Sequence, residues 1–384
     1  MAEVDIPKRL KDLNVVLAHD WLTGMRGGER VLELLCAAFP RAPIFTLIHN
    51  RPAICDAINA HPVTTSWLQR IPGIEKDYRR FLPLFPSAIE SMRPPAADLL
   101  ISTSHCVAKG LIARPGTRHL CYCLTPMRYA WTFYEEYFGR NAAKKLLVRP
   151  ILSALRRWDR RTTNRTHHFV AISRHVQNRI RECYGRDSDV VYPPVDLNRW
   201  TPGPPGPPGD YDLVVSALVP YKRLDIAVRV YSRLNRRLKI VGIGGELPRL
   251  RRLAAANVEF LGRQDDDALL GYYRRCRMLI FPGEEDFGLV PLEAQACGRP
   301  VVAYGKGGAL ESVADGVSGV FFHDQTDEAL QSAVERCAAR AWDPAAIRTN
   351  AERFGIASFW RGFSRNIENC LADGREDRRG ADAP

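Results

Sequence analysis

The chain has 384 residues, 46% hydrophobic and 26% charged, a composition that favours two globular domains and excludes a disordered or fibrous chain. No apolar run approaches the ~18 residues of a membrane-spanning helix, so none is expected. The formal charge is +12 and all of it lies in the first half: residues 1–200 hold 30 Lys+Arg against 18 Asp+Glu, and residues 201–384 hold 25 of each. Such a half suits lipid head groups, a lipid diphosphate or nucleic acid; a solvated basic face without a partner is the plainer reading.

The opening MAEVDIPKRLKDLNVVLAHDWL places cations before a short apolar run. That run ends at His19-Asp20 without a small-residue cleavage site, so it reads as a first strand and not a signal peptide. Strand-like runs follow at 42–48, 98–103, 119–125, 167–173 and 189–196. TPGPPGPPG at 201–209 can neither continue a helix nor join a sheet, and reads as an interdomain linker. Beyond it lie runs at 212–219, 238–244, 258–262, 277–283, 300–305 and 319–323.

Near-continuous apolar runs separated by helical segments indicate parallel strands covered on both faces. The predicted class is α/β: two Rossmann-like doubly wound domains, 1–200 and 210–355, facing a cleft, with ligands at the carboxyl ends of strands. Phe359, Phe363 and Ile367 recur every four residues and predict a helix over 356–373 that returns to the first domain, before a disordered tail at 374–384. The ten cysteines form no CxxC pair and read as buried thiols.

Candidate chemistry sits in the loops after these runs. Gly24, Gly27 and Gly28 precede a helix expected near Glu29, where free N–H groups could meet an anion; a ligand-free tight turn fits equally well. The pattern is not GxGxxG, so a dinucleotide oxidoreductase is weakly supported. His105 and His19 each end a strand and are open to a structural or a functional role, whereas His167 and His168 read as structural. Lys222 and Arg223 suit a diphosphate, or are a surface pair. Gly242, Gly244 and Gly245 mark another strand-to-helix turn, and Gly262 with Arg263 ends a further strand where a flat base could lie. In FPGEEDFGLVPLEAQACG, Glu284, Glu285, Asp286 and Glu293 flank Gly288. Four carboxylates there fit a metal, an acid–base pair or a reader of hydroxyl groups; Asp286 could cap the helix that follows. That helix N-terminus, with about half a positive charge, suits phosphate.

The segment EDFGLVPLEAQACGRPVVAYGKGGALESV resembles the E-x7-E region of retaining, nucleotide-sugar-dependent GT-B glycosyltransferases of family 4. HDWLTGMRGGERVLE, SHCVAKG, TPMRYAW and LVPYKR look most like bacterial mannosyltransferases of O-antigen and exopolysaccharide assembly. The resemblance implies that Glu285 contacts donor-sugar hydroxyls and Glu293 the ribose. It places the backbone N–H groups of Phe287, Gly288 and Leu289 on the diphosphate and Lys222 on phosphate. His105 matches an active-site histidine, and Gly27 and Gly28 a loop near diphosphate and acceptor. The family's partner arginine falls at Ala217, and Arg223, where glycine is common, is assigned that charge.

The resemblance further implies no bound divalent metal and no cofactor. The donor it implies is GDP-mannose and the acceptor a lipid-linked saccharide. An anionic membrane surface on the cytoplasmic side is expected to meet residues 144–165, which hold eight cations, one acid and Leu147, Ile151, Leu155 and Trp158 at helical spacing. That apolar stripe could equally be core. Within the fold, an epimerase or phosphorylase is the alternative. A nucleic-acid binder lacks interleaved aromatic motifs here and is not expected.

Overall fold

The computed structural model describes residues 6–131, 142–204 and 206–381, apart from the side chains of 142–148 and 373–381. The chain divides into two compact units, Met1–Pro193 with Phe359–Pro384, and Pro194–Ser358.

In the first unit the described residues form a seven-stranded sheet. Its strands are β1 (Val15–His19), β2 (Ile44–Thr46), β3 (Val63–Thr65), β4 (Leu99–Ser104), β5 (Arg118–Cys123), β6 (His168–Ala171) and β7 (Asp189–Val190). The order is β3-β2-β1-β4-β5-β6-β7, and every pairing is parallel. β1 and β4 are buried along their whole lengths, as strands covered on both faces must be. Three helices matter below: α1 (Gly27–Ala38), α2 (Ala142–Thr162) and α3 (Arg174–Tyr184). Nine of the ten cysteines are buried, so their role here is packing.

The second unit carries β8 (Tyr211–Val215), β9 (Arg237–Val241), β10 (Val258–Gly262), β11 (Leu279–Phe281), β12 (Val301–Tyr304) and β13 (Gly319–Phe322). They form a parallel six-stranded sheet in the order β10-β9-β8-β11-β12-β13. The helices used below are α4 (Leu224–Leu234), α5 (Asp266–Arg275) and α6 (Leu289–Ala296). A final helix, α7 (Ile356–Ala381), supplies the first unit from Phe359 onward. Both sheets reverse direction beside their first strand, between β1 and β4 and between β8 and β11. Such a switch point leaves a crevice at the carboxyl ends of the two strands, where doubly wound sheets hold their ligands.

Four features differ from the sequence expectation or refine it. The strand β3 was not expected; it is an edge strand of Val-Thr-Thr without an apolar run. The Pro/Gly stretch 201–209 does not mark the crossing, because the chain changes unit at Pro193–Pro194. It is stitched to the second unit: Arg274 donates to the Thr201 carbonyl at 2.9 Å, and the Gly209 N–H donates to the Arg275 carbonyl at 2.7 Å. The apolar stripe of α2 is largely core. Leu152, Leu155 and Trp158 pack with Leu111, Ile89 and Tyr129, while Ile151 is exposed and the Leu147 side chain lies outside the described residues. Finally, α7 runs on to Ala381, and the side chains of the tail assigned to 374–384 lie outside the described residues. Its Phe359 and Phe363 rings stack at 5.1 Å and meet Tyr122 edge-on.

Candidate functional site

The switch point of the second unit gathers most of the candidate residues. After β8 the chain makes a short 3-10 turn, Pro220–Lys222, then Arg223, then α4. After β11 it runs through Pro282 and the acidic loop to Gly288, which opens α6. The two loops touch through backbone. A Cβ at Gly283 would lie 2.8 Å from the Lys222 Cα, so a larger residue would drive them apart. This contact places the Lys222 ammonium against the Glu285 carboxylate as an ion pair.

The acidic cluster therefore disperses. Glu285 goes to Lys222, Glu284 faces Lys306 at 3.4 Å, and Asp286 is buried. Asp286 is not the helix cap; Gly288 is, with φ +88° and no side-chain capping bond. Glycine is required there by that left-handed backbone, and the Phe281 ring leaves a Cβ only 3.0 Å. The first N–H groups of α6 are thus closed by no side chain of the cap, the condition for an anion at a helix N-terminus. Phe287 is buried, its ring 5.7 Å from Phe354, and Leu289 is the first helical residue.

Glu293 lies in the second turn of α6, and its Oε2 accepts a 2.7 Å hydrogen bond from the Tyr273 hydroxyl of α5. Tyr273 is fully buried and meets Trp200 edge-on; burial and the nearby Glu293 charge push its hydroxyl well above the ordinary range, so it stays a donor. A second support lies after β12. Gly307 bridges to Glu285, and the Gly308 N–H donates to the Glu285 carbonyl at 2.8 Å. Cβ atoms there would sit 2.4 Å from the Glu285 carbonyl oxygen and 2.2 Å from the Phe287 Cα. The glycine pair thus presses directly on the loop that carries Glu285.

Arg223 takes φ +52°, a left-handed turn that glycine adopts without cost and arginine does not. Its guanidinium reaches Asp225 at 3.3 Å and Gln325 at 3.2 Å; the Gln325 amide in turn donates to the Pro282 carbonyl at 3.0 Å. It is therefore tied to the rim of the same loop, not aimed alone at it. The glycines after β9 have a packing role: Cβ atoms at Gly242 and Gly244 would strike the carbonyl oxygens of Ser216 and Leu218 at 1.8 and 2.3 Å. Gly262, with φ +68°, has open space around it, and Arg263 is exposed. Asp265 caps α5 by accepting from the Ala268 N–H at 2.8 Å.

The first unit has its own switch-point cluster. His105 follows β4, and Asp20 follows the adjacent β1. The Asp20 carboxylate is fully buried, and its Oδ2 lies 2.9 Å from the His105 Nδ1. Burial raises its pKa, but the His105 charge and hydrogen bonds outweigh burial and hold the group at about 2. Trp21 packs edge-on against the His105 ring at 4.5 Å. His19 bonds to the Thr103 hydroxyl at 2.6 Å and lies 3.8 Å from Glu29. Gly27 and Gly28 are the first residues of α1 itself, two positions earlier than expected. A Cβ at Gly28 would meet Leu124 at 2.7 Å and His19 at 3.4 Å. His167 and His168 serve the fold, the first accepting from the His119 N–H at 2.9 Å and the second paired with Asn366 at 2.7 Å.

Sequence reasoning missed Asp20, Tyr273 and the packing role of Gly307 and Gly308. Asp20 and Tyr273 act on partners distant in sequence, and only the position of Asp20 at a strand end could have drawn notice.

Residues 25–199 match the Glycosyltransferase Family 4 model, and residues 208–354 match Glycosyl transferases group 1. A D-inositol 3-phosphate glycosyltransferase of Mycolicibacterium smegmatis is 38% identical over 190 residues, 43% of this chain and 42% of the relative. A GDP-mannose-dependent alpha-(1-6)-phosphatidylinositol monomannoside mannosyltransferase of the same organism is 30% identical over 251 residues, 57% of this chain and 66% of the relative. An uncharacterized glycosyltransferase of Methanocaldococcus jannaschii is 30% identical over 166 residues, 41% of this chain and 46% of the relative. The chain thus spans about half the length of these curated relatives. Among solved structures, Anabaena HepE in complex with UDP superposes with a TM-score of 0.67 at 17% identity, covering 93% of this chain and 100% of that one. The lipopolysaccharide outer core galactosyltransferase WaaB gives 0.63 at 16%, covering 93% and 99%. The fold is shared with both.

Proposed function

We propose that this chain, with a Family 4 domain followed by a group 1 domain, is a retaining GT-B glycosyltransferase. It moves a hexose, mannose from GDP-mannose, to a lipid-linked saccharide in surface polysaccharide synthesis. One observation carries the reading. At the switch point of the second sheet, Lys222 pairs with Glu285, a glycine-capped helix begins between Glu285 and Glu293, and Tyr273 holds Glu293. Cation, glycine-capped helix end and two carboxylates in that order fit a diphosphate flanked by two polyols.

The chemistry follows from charge. As the sugar leaves, negative charge grows on the β-phosphate. Lys222 and the N-terminus of α6 are fixed before that charge develops, which lowers the barrier without reorganisation. Glu285 accepts from sugar hydroxyls and Glu293 from the ribose, with Gly262 and Arg263 assigned to the base. His105 is assigned as a further catalytic residue, and Gly27 and Gly28 to the acceptor side. Transfer is proposed to need no divalent metal and no cofactor, so turnover should survive EDTA; its loss would refute that part.

Mannose is supported by the GDP-mannose-dependent relative. A second reading, a UDP-hexose donor, is favoured by HepE, whose complexes hold UDP and glucose. The lipid-linked acceptor is supported by the basic first half and by that relative's lipid substrate. No described helix is long and apolar enough to cross a membrane, and the proposed association is peripheral, on the cytoplasmic face. Exposed Arg149, Ile151 and Arg157 on α2 support it. It predicts salt-sensitive binding to anionic liposomes, and equal binding to neutral ones would refute it. The donor is tested by thermal shift with GDP-mannose, GDP-fucose, UDP-glucose and UDP-N-acetylglucosamine. A ligand at a hundred times its Kd adds about 2.7 kcal/mol of stability. Protection by none of the four would overturn the reading.

A further inference from the structure

Among the described residues of the first unit, the Asp20 carboxylate is enclosed by backbone donors on the turn that carries His105. It accepts from four successive backbone N–H groups, those of His105 (2.6 Å), Cys106 (3.0 Å), Val107 (2.5 Å) and Ala108 (2.7 Å). Its Oδ2 also lies 2.9 Å from the imidazole Nδ1 of His105. The backbone bonds fix the turn after β4; the imidazole contact is close but poorly directed for a hydrogen bond, and it sets the carboxylate charge beside Nδ1. A carboxylate facing Nδ1 selects the tautomer with the proton on Nδ1 and leaves Nε2 as the nitrogen open to a ligand. Trp21, edge-on at 4.5 Å, restricts the ring from another side. The ionisable groups of neighbouring elements are His19, 6.2 Å away between ring centroids, and Glu29 of α1 beyond it.

Resting on the proposed transferase reading, we propose that Asp20 is the positioning residue of His105. It holds the imidazole as the Nδ1–H tautomer so that Nε2 can accept a hydrogen bond from a hydroxyl of the reacting sugar or acceptor. Asp20 touches no substrate itself and acts through the ring.

Two measurements test this. The first is 15N NMR of histidine-labelled protein at neutral pH, with His105 assigned by loss of its signals in His105→Gln. The expected spectrum shows His105 protonated at Nδ1, whereas protonation at Nε2 overturns the proposal. The second is a kinetic cycle of Asp20→Asn, His105→Ala and the double variant, each checked by circular dichroism. Asp20→Asn should lower kcat about 10- to 100-fold with the donor KM little changed, as loss of an orienting partner does. The double variant should be no slower than His105→Ala alone. Losses that multiply would show Asp20 acting on the fold and not through His105, and would overturn the proposal. If Asp20→Asn fails to fold, the tautomer in the unsubstituted protein still decides. If the unsubstituted protein turns over no nucleotide sugar, the transferase reading falls, and the NMR result judges the placement separately.

Discussion

Gly308→Ala separates contact from conformation at the loop that carries Glu285. The backbone at Gly308 is ordinary, φ −67° and ψ −16°, so alanine meets no conformational penalty there. The added Cβ, however, would lie 2.2 Å from the Phe287 Cα, 2.6 Å from its nitrogen and 2.7 Å from the Asp286 carbonyl oxygen. All three are backbone atoms, and carbon atoms pack at about 3.5–4.0 Å. The loop 285–288 or the turn after β12 must therefore retreat by about 1 Å. Overpacking of this kind costs about 1–3 kcal/mol. A 1 Å displacement of a reacting group costs about 100-fold in rate. Gly271→Ala is the control: it sits inside α5 with nothing within 4 Å, and alanine there should stabilise by about 0.5–1 kcal/mol. Urea denaturation and nucleotide-sugar turnover of both variants supply the comparison. A Gly308→Ala protein as stable and as active as its parent would refute the account of how the Glu285 loop is held.

Further substitutions address the same site. Lys222→Ala should lower kcat/KM at least about 100-fold, as removal of a donor aimed at developing charge does. Arg223→Ala should raise the donor Kd if Arg223 supplies the charge missing at Ala217; an unchanged Kd beside an inactive Lys222→Ala would assign that charge to Lys222 alone. Tyr273→Phe removes the hydroxyl that holds Glu293 and should weaken nucleoside diphosphate binding roughly tenfold, about 1.4 kcal/mol. The preference for ribose over 2′-deoxyribose should shrink with it, and calorimetry with GDP and 2′-deoxy-GDP would show an unchanged preference if Tyr273 only fills space. Asp20 titrates at about 2 in the folded chain against an ordinary 3.8. Its stabilisation, about 2 kcal/mol, is complete above about 3.8 and is lost as pH falls through about 2. The stability gap between Asp20→Asn and its parent in urea should narrow over that window, and a gap independent of pH would contradict the linkage.

The sheets were legible because a parallel strand covered on both faces reads as a mostly apolar run, and twelve of the thirteen strands overlap such runs, even where, as at Asp189–Val190, the strand itself is partly exposed. The thirteenth, Val63–Thr65, is half-exposed at an edge and needs no such run. Pro/Gly content indicated a stretch without helix or strand, and the described residues of 201–209 form neither, but it could not tell which unit the segment lies against; Arg274, more than seventy residues later, decides that. Helical periodicity likewise showed that α2 has an apolar face without saying what covers it, and Leu155 and Trp158 turn out to face the core.

The candidate site divides in the same manner. Glu285, Gly288 and Glu293 are legible because one loop and one helix carry them. The pairing of Lys222 with Glu285 needs two strands to be neighbours, which β8 and β11 become only through the 3-2-1-4 strand order of the second sheet. Asp20 was passed over because its donors lie 85 to 88 residues away. An aspartate after a strand has no distinctive spacing to a turn that folding alone brings beside it.

If the second unit binds a nucleotide sugar for transfer, the protein should turn one over. The protein would be incubated with GDP-mannose, GDP-fucose, UDP-glucose and UDP-N-acetylglucosamine, and release of nucleoside diphosphate followed. Release from one of the four is expected, falling at least about 100-fold in Lys222→Ala. Release from none of them, or release that Lys222→Ala leaves unchanged, would contradict it.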